Sequence, residues 1–355
     1  MLVGRNDKPG HIRLMKSTPR NPERFAPLDL LDALATQYKV PLHEVPSLFS
    51  LPNYEASARA MGTLLHGKRA EVMFKYVVAS LGQATFIEQV DAGALMYSGE
   101  PVQAPDYYIQ LLNGDRYHVE VKNCQLKSWA QTVTLKADYV RRLLEYCRIK
   151  GAPLLLAIYW VGVRRWTLTP LDPFLTKKGA VSIRFQDAML HDAAAMIGDR
   201  TLCTVPPLGC TLYVNRDREQ KVENGVATLT FSRAVFWANG QEITDARERG
   251  IANYLMLYSR WIEKRHEVVW DGDVIDRIEV EMEPHEIEQP QGDQPFAPLG
   301  TLAGMVSAAF NAVTVEDGQI LRLTPLVEPA ALVSTVDDEY RGEVLKLWIL
   351  RLKHG

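Results

Sequence analysis

The chain has 355 residues and a formal net charge of −3; 47% of it is hydrophobic and 23% charged. That composition excludes wholesale disorder and, at roughly 100–200 residues per domain, implies two or three domains. No apolar run reaches the ~18 residues of a spanning helix, and the polar, basic N-terminus lacks the apolar segment of a signal peptide, so no membrane association is expected. The four cysteines (Cys124, Cys147, Cys203 and Cys210) include no CxxC pair, which disfavours a zinc ribbon and fits a reduced, cytoplasmic compartment.

Charge is unevenly spread. Residues 1–24 hold six Lys/Arg against two acids, residues 141–178 eight against two, and residues 267–296 ten acids against one Arg. Such asymmetry admits a local anionic partner, with a solvated basic face as the plainer reading.

In chain order, residues 1–27 read as an arm or irregular lead-in rich in Arg, Pro and Asn. Residues 28–38 show helical spacing at Leu30, Leu31 and Leu34, and prolines interrupt residues 40–52. A long helix is predicted over 54–81 from Met73, Phe74, Val77, Val78 and Leu81, with Gly82 as its stop. Residues 85–88, 107–112 and 117–122 read as strands, the last two flanking Asn113-Gly114, a hairpin signal. Residues 136–150 form an amphipathic helix ending at Gly151; 154–161 and 166–168 read as strands. Helix, strands, helix, strand, strand is the order of an α/β unit with a mixed sheet.

Beyond Pro173 the pattern changes. Strands are predicted at 212–214, 226–237 and 320–326, and helices at 245–264 and 301–313, with a Pro/Gln/Gly-rich break at 289–298. Residues 273–283 alternate apolar and acidic positions, which suits a half-exposed strand better than a metal cluster. The expected division is an N-terminal arm and helical lead-in (1–60), a core (61–178) and an α+β accessory region (179–355).

The hairpin carries the chemistry. Alternation puts Tyr107, Ile109, Leu111, Tyr117, Val119 and Val121 on one face; Asp106, Tyr108, Gln110, His118, Glu120 and Lys122 share the other with Leu112. A three-residue loop at 113–115, with Gly114 left-handed, would pair Leu112 with Arg116 and set Asp106 opposite Lys122 and Tyr108 opposite Glu120. Two neighbouring carboxylates repel and call for a cation. A hard divalent ion such as Mg²⁺ prefers oxygen ligands, and a metal held by two carboxylates can activate water against a phosphoryl group.

Pro105-Asp106, thirteen intervening residues and then Glu120-Val121-Lys122 resemble the PD-(D/E)XK motif of the restriction-endonuclease-like nucleases. The resemblance covers about residues 61–170. It implies a restriction-endonuclease-like core with a mixed β-sheet flanked by helices, and a Mg²⁺-dependent nuclease, with Mn²⁺ as a substitute, acting on DNA. Asp106 and Glu120 would bind metal, Glu71 on the preceding helix would complete the site, Lys122 would be catalytic, and Gln125 would be an extra polar residue of the site. Lys68, Lys127 and Lys136 are candidate nucleic-acid contacts, and residues 179–355 a candidate dimer or protein-partner surface. Alternatives of other kinds are a non-catalytic docking module on the same fold and an RNA-directed nuclease.

Other patterns carry less. Glu219-Gln220-Lys221 repeats Glu-x-Lys in a charged run without apolar alternation and reads as a loop. Gly62 to Lys68 fits GxxxxGK but is followed by Arg69 rather than Ser or Thr. Lys68 and Arg69 read as solvated or near a phosphate backbone. His118 reads as an ordinary polar strand residue. Tyr139, Leu143 and Tyr146 form a core stripe, with Arg141 and Arg148 on a solvated one.

Overall fold

The computed structural model describes residues 27–45, 62–90, 97, 99–223, 226–285, 290, 292–334, 336 and 339–351. The expected arm over 1–26 and the start of the long helix at 54–61 lie outside them. Among the described residues the chain forms two compact units. The first takes those up to Asp199, Val306–Val333 and Arg351; the second takes Arg200–Met305 and Ser334–Leu350.

The first unit opens with helix α1 (Pro27–Tyr38) and helix α2 (Gly62–Leu81). The GxxxxGK stretch therefore lies in a helix and not in a phosphate-binding loop. Strands β1 (Ala84–Gln89), β2 (Tyr107–Leu111) and β3 (Arg116–Cys124) follow, then β4 (Thr132–Leu135), helix α3 (Ala137–Lys150), β5 (Leu154–Trp160), β6 (Arg165–Pro170) and β7 (Val181–Arg184). The main sheet has the order β1-β2-β3-β5-β6. Only β3 and β5 are parallel; the other neighbours are antiparallel. The unit is thus α/β, with a mixed sheet flanked by helices.

Both faces of this sheet are covered, which is why all seven residues of β5 are buried and its sequence is continuously apolar. Tyr107, Ile109 and Val119 are fully buried on one face, where Phe74 of α2 meets Tyr107 (5.9 Å) and Trp166 (5.4 Å). On the other face Leu154, Leu156, Ile158 and Trp160 cluster with Val140, Leu143 and Cys147 of α3. Each such aliphatic side chain contributes roughly 1.5–3 kcal/mol over its exposed state. Helix α3 stops at Gly151, whose φ of 74° caps it in the left-handed region.

The hairpin register differs from the expectation by two residues. Tyr107 pairs with Val119, Tyr108 with His118, Ile109 with Tyr117 and Gln110 with Arg116. The Leu111 N–H donates to the Asp115 carbonyl (2.8 Å), so the loop is Leu112-Asn113-Gly114. Gly114, at φ 91°, takes the third loop position, where three-residue hairpins place their left-handed residue. The shift is even, so every side chain keeps its expected face.

The boundary expected at 178 falls inside this unit. Strand β7 pairs with β4, and Asp192 accepts the Leu168 N–H at 2.9 Å. Residues 306–333 also return to it. Trp166 Nε1 donates to Ser307 Oγ (2.8 Å), Ser80 Oγ to the Pro329 carbonyl (2.8 Å), and Asp32 accepts the Leu323 and Thr324 N–H groups.

The second unit holds β8 (Thr201–Thr204), β9 (Leu208–Val214), β10 (Lys221–Glu223), β11 (Val226–Thr228), β12 (Phe231–Ala238), β13 (Gln241–Glu242), helix α4 (Ala246–Tyr258), β14 (Ile262–Asp271), β15 (Val274–Glu283), β16 (Ala297–Thr301) and β17 (Leu347–Leu350). One antiparallel sheet has the order β13-β12-β9-β15-β14, another β16-β8-β17. Asp245 caps α4 by accepting the Glu248 N–H at 2.8 Å. The expected helix 245–264 ends at Tyr258, because Ser259 turns extended and β14 begins at Ile262. The strand expected over 226–237 is broken into β11 and β12, and of 320–326 only Ile320 is in a strand, at the end of the two-residue Gln319–Ile320. Lys221 of the second Glu-x-Lys begins an exposed hairpin strand, away from any apolar alternation.

Candidate active site

Asp106 immediately precedes β2. Its carbonyl accepts the Val90 N–H (2.9 Å) and its Oδ2 accepts the Val121 N–H (2.7 Å), so the residue is fixed between β1 and β3. Extending the β2–β3 register by one residue sets Asp106 across from Glu120. Glu120 is 1% exposed. Its Oε1 accepts hydrogen bonds from Lys122 Nζ and from the Tyr139 hydroxyl (2.6 Å), while its Oε2 is buried with no hydrogen-bond partner. Each carboxylate is therefore held through one oxygen.

Tyr139 comes from the first turn of α3. The β3–α3–β5 crossover runs this helix antiparallel to its parallel strands, which brings its N-terminus to the ends of β3 and β5. The Lys122 ammonium lies 5.5 Å from the Tyr139 ring centroid. The helical stripe Tyr139, Leu143 and Tyr146 is indeed turned inward, but while the ring of its first member packs against the core, its hydroxyl reaches the polar site. Periodicity reveals the face and not what that face meets, so Tyr139 escapes a sequence reading.

The site is strongly acidic. Desolvation first, then the carboxylates of Glu120 and Glu71, push Asp106 up to about 8. Burial and Glu120 raise the Tyr139 hydroxyl too, so it remains a proton donor at neutral pH. Glu71 acts on both through space; its own carboxylate pairs with Lys68 at 3.2 Å. Among the described residues no group of three or more His, Cys, Asp or Glu side chains forms a ready metal cage. The structure thus brings Asp106, Glu120 and Lys122 together and keeps Glu71 beside them, engaged with Lys68.

Gln125 is exposed just past β3, with no hydrogen bond to the carboxylates among the described residues. Lys127 and Lys136 are exposed, Lys136 at the N-cap position of α3. Arg69 is not solvated, contrary to expectation. It is buried, bonds to Asn311 and to Thr314 Oγ1 (3.0 Å), and lies 5.4 Å from the Phe310 ring centroid. The returning segment 306–333 supplies that pocket. His118 packs between Tyr108 and Tyr146, each ring 5.4 Å away, and burial lowers its basicity. Arg141 and Arg148 are exposed and pair with acids, as a solvated stripe should.

As a chemical object the site is a pair of acids each held through one oxygen, an ammonium beside one of them, and, once Asp106 gives up its proton, three carboxylates against the two ammonium groups of Lys68 and Lys122. The unpartnered Glu120 Oε2 and the raised Asp106 both fit a hard cation bound through oxygen. No family model matches the chain, and no curated protein matches it in sequence. Among solved structures it is similar to that of Archaeoglobus fulgidus Hjc, a Holliday junction resolvase from an archaeal hyperthermophile. The identity is 19% over 32% of this chain and 85% of that one, with a TM-score of 0.25. No helix among the described residues is long and apolar enough to cross a membrane.

Proposed function

We propose that the chain is a divalent-metal-dependent nuclease of the PD-(D/E)XK superfamily, built on a restriction-endonuclease-like core and hydrolysing phosphodiester bonds in DNA. The observation that carries this reading is the site's hydrogen bonding. Asp106 and Glu120 are each fixed through one oxygen, and the other Glu120 oxygen is buried with nothing to satisfy it. Asp106 and Glu120 would hold Mg²⁺ or Mn²⁺, with Glu71 adding negative charge from α2. When bound, the ion would supply Lewis-acid stabilisation of phosphoryl charge and a more acidic water.

The chain's own residues account for the rest. Lys122 Nζ, held against Glu120, offers a positive charge to the phosphoryl oxygens as water attacks phosphorus and the P–O bond to the leaving strand breaks. Tyr139 keeps Glu120 from turning away. Lys127 and Lys136 would meet the phosphate backbone.

The test is cleavage of plasmid, linear duplex, single-stranded DNA and RNA with Mg²⁺, Mn²⁺ or EDTA, with Lys122→Ala and Asp106→Ala alongside. Metal-dependent cutting of DNA that falls by a factor of about 10³ or more in both variants is expected. Cutting that survives both substitutions would overturn the site. Absence of both cutting and Mn²⁺ binding would leave a docking module instead.

A further inference from the structure

The loop leaving β3 carries an aromatic side chain that hydrolysis at Asp106 and Glu120 does not use. Trp129 stands on it with 57% of its surface exposed. Its ring leans on Phe185 at 5.6 Å between centroids, and Phe185 meets Trp160 edge-on at 5.4 Å. Trp160 is fully buried and pairs with Cys124, two residues beyond Lys122 on the same strand face. A ladder of rings therefore runs from the site's sheet face to the surface, and its outermost ring leaves most of its area to solvent.

The platform is built. Gln131 Oε1 accepts the Lys127 N–H (2.8 Å), the Gln131 N–H donates to the Ser128 carbonyl (3.1 Å), and Gln131 Nε2 reaches Cys124 Sγ (3.6 Å). The ribbon β4–β7 sets Thr132 opposite Arg184, which brings the Trp129 and Phe185 ends of the two strands together. Lys127 and Lys136 flank this loop, exposed and without an ion pair among the described residues.

We infer that Trp129 is a stacking site for an unpaired nucleobase, so that the substrate is single-stranded or carries unpaired bases beside the scissile phosphate. The inference rests on the nuclease reading above. In a duplex the base faces are covered by their neighbours, whereas an unpaired base offers a face to an indole whatever its sequence. The two lysines supply the phosphate contacts that such a strand needs, and these weaken with salt. An apolar peptide on the same ring would leave both cations unmatched.

Binding is measured in EDTA by fluorescence anisotropy with a short labelled single strand and the blunt duplex of the same sequence. Wild type, Trp129→Ala and Trp129→Phe are compared, circular dichroism melts confirm folding, and the same substrates are then offered with Mg²⁺. Trp129→Ala is expected to weaken single-strand binding by about tenfold or more, with a distinctly smaller loss on the duplex, and Trp129→Phe to retain most of the affinity. Equal losses on both substrates, no loss on the single strand, or no single-strand binding by wild type overturns the inference. Wild type that cuts while Trp129→Ala binds the single strand normally defeats the stacking site alone. Wild type that cuts nothing, yet needs Trp129 to bind, defeats the nuclease reading alone.

Discussion

Asp106 occupies a position that its own charge opposes. Desolvation and two neighbouring carboxylates raise it from 3.8 to about 8. A raised acid holds its proton longer in the folded state than in the unfolded one. Its contribution to stability is therefore complete below pH ~4, is lost as pH rises from there to about 8, and is flat above. Asn in its place keeps an acceptor for the Val121 N–H and carries no charge. Asp106→Asn should stabilise the metal-free protein by about 1–3 kcal/mol at pH 9 and hardly at all at pH 4, while abolishing cleavage. Thermal melts in EDTA across that range check it, and a variant less stable than wild type at pH 9 would sink the electrostatic account. Mg²⁺ should raise the melting temperature of the wild type and not of Asp106→Asn. This triad was legible because strand alternation sorts Asp106, Glu120 and Lys122 onto one face whatever the even register. Arg69 was not, because the neutral acceptors that satisfy its buried guanidinium, Asn311 and Thr314, lie more than two hundred residues away.

Helix α3 serves two ends at once. Val140, Leu143 and Cys147 fasten it to the sheet, and Tyr139 at its first turn reaches into the site. Removing only the hydroxyl separates these tasks. Tyr139→Phe keeps the ring and its packing but frees Glu120 Oε1 of its neutral donor. Outer hydrogen bonds of this kind typically tune metal affinity by 10–100-fold. Calorimetric titration with Mn²⁺ should show an affinity loss of roughly tenfold with a melting temperature close to wild type; a lower melting temperature with unchanged affinity would make the bond merely structural. At this scale α3 and the hairpin strands were readable, since amphipathic spacing and Asn113-Gly114 are local signals. The register was readable only to within two residues, because it depends on which loop position Gly114 fills. The helix expected over 245–264 ran too long because no Gly or Pro marks the exit at Ser259; an edge strand such as β14, exposed along nearly its whole length, lacks the alternation that would announce it.

Across the molecule, the informative feature is the return of the chain to its first unit. The helix Leu302–Thr314 leads the chain out of the second unit, and residues 306–333 then cover Trp166, Arg69, Ser80 and Asp32. Local patterns could not foresee this, since each contact joins residues far apart in sequence. It changes what counts as the catalytic unit. A fragment ending at 199 keeps every proposed catalytic residue yet loses the hydrogen-bond partners of Arg69 and Asp32 and the fully buried Phe310, Leu323 and Leu332, and each such apolar side chain is worth roughly 1.5–3 kcal/mol of burial. The intervening segment has neighbouring ends, because the Leu302 N–H donates to the Arg200 carbonyl at 2.9 Å and Thr201 pairs with Thr301. Such ends permit excision with a short flexible linker. Two proteins decide the matter: residues 1–199 alone, and residues 1–333 with 200–301 replaced by a Gly/Ser linker, which also removes the strand that pairs with β8. The fragment should be insoluble or lack a cooperative melt. The linked protein should melt cooperatively and bind Mn²⁺ through Asp106 and Glu120, with affinity within about threefold of wild type. A fragment that melts as cooperatively as the linked protein would show that residues 306–333 are dispensable and that the catalytic unit is complete by Asp199.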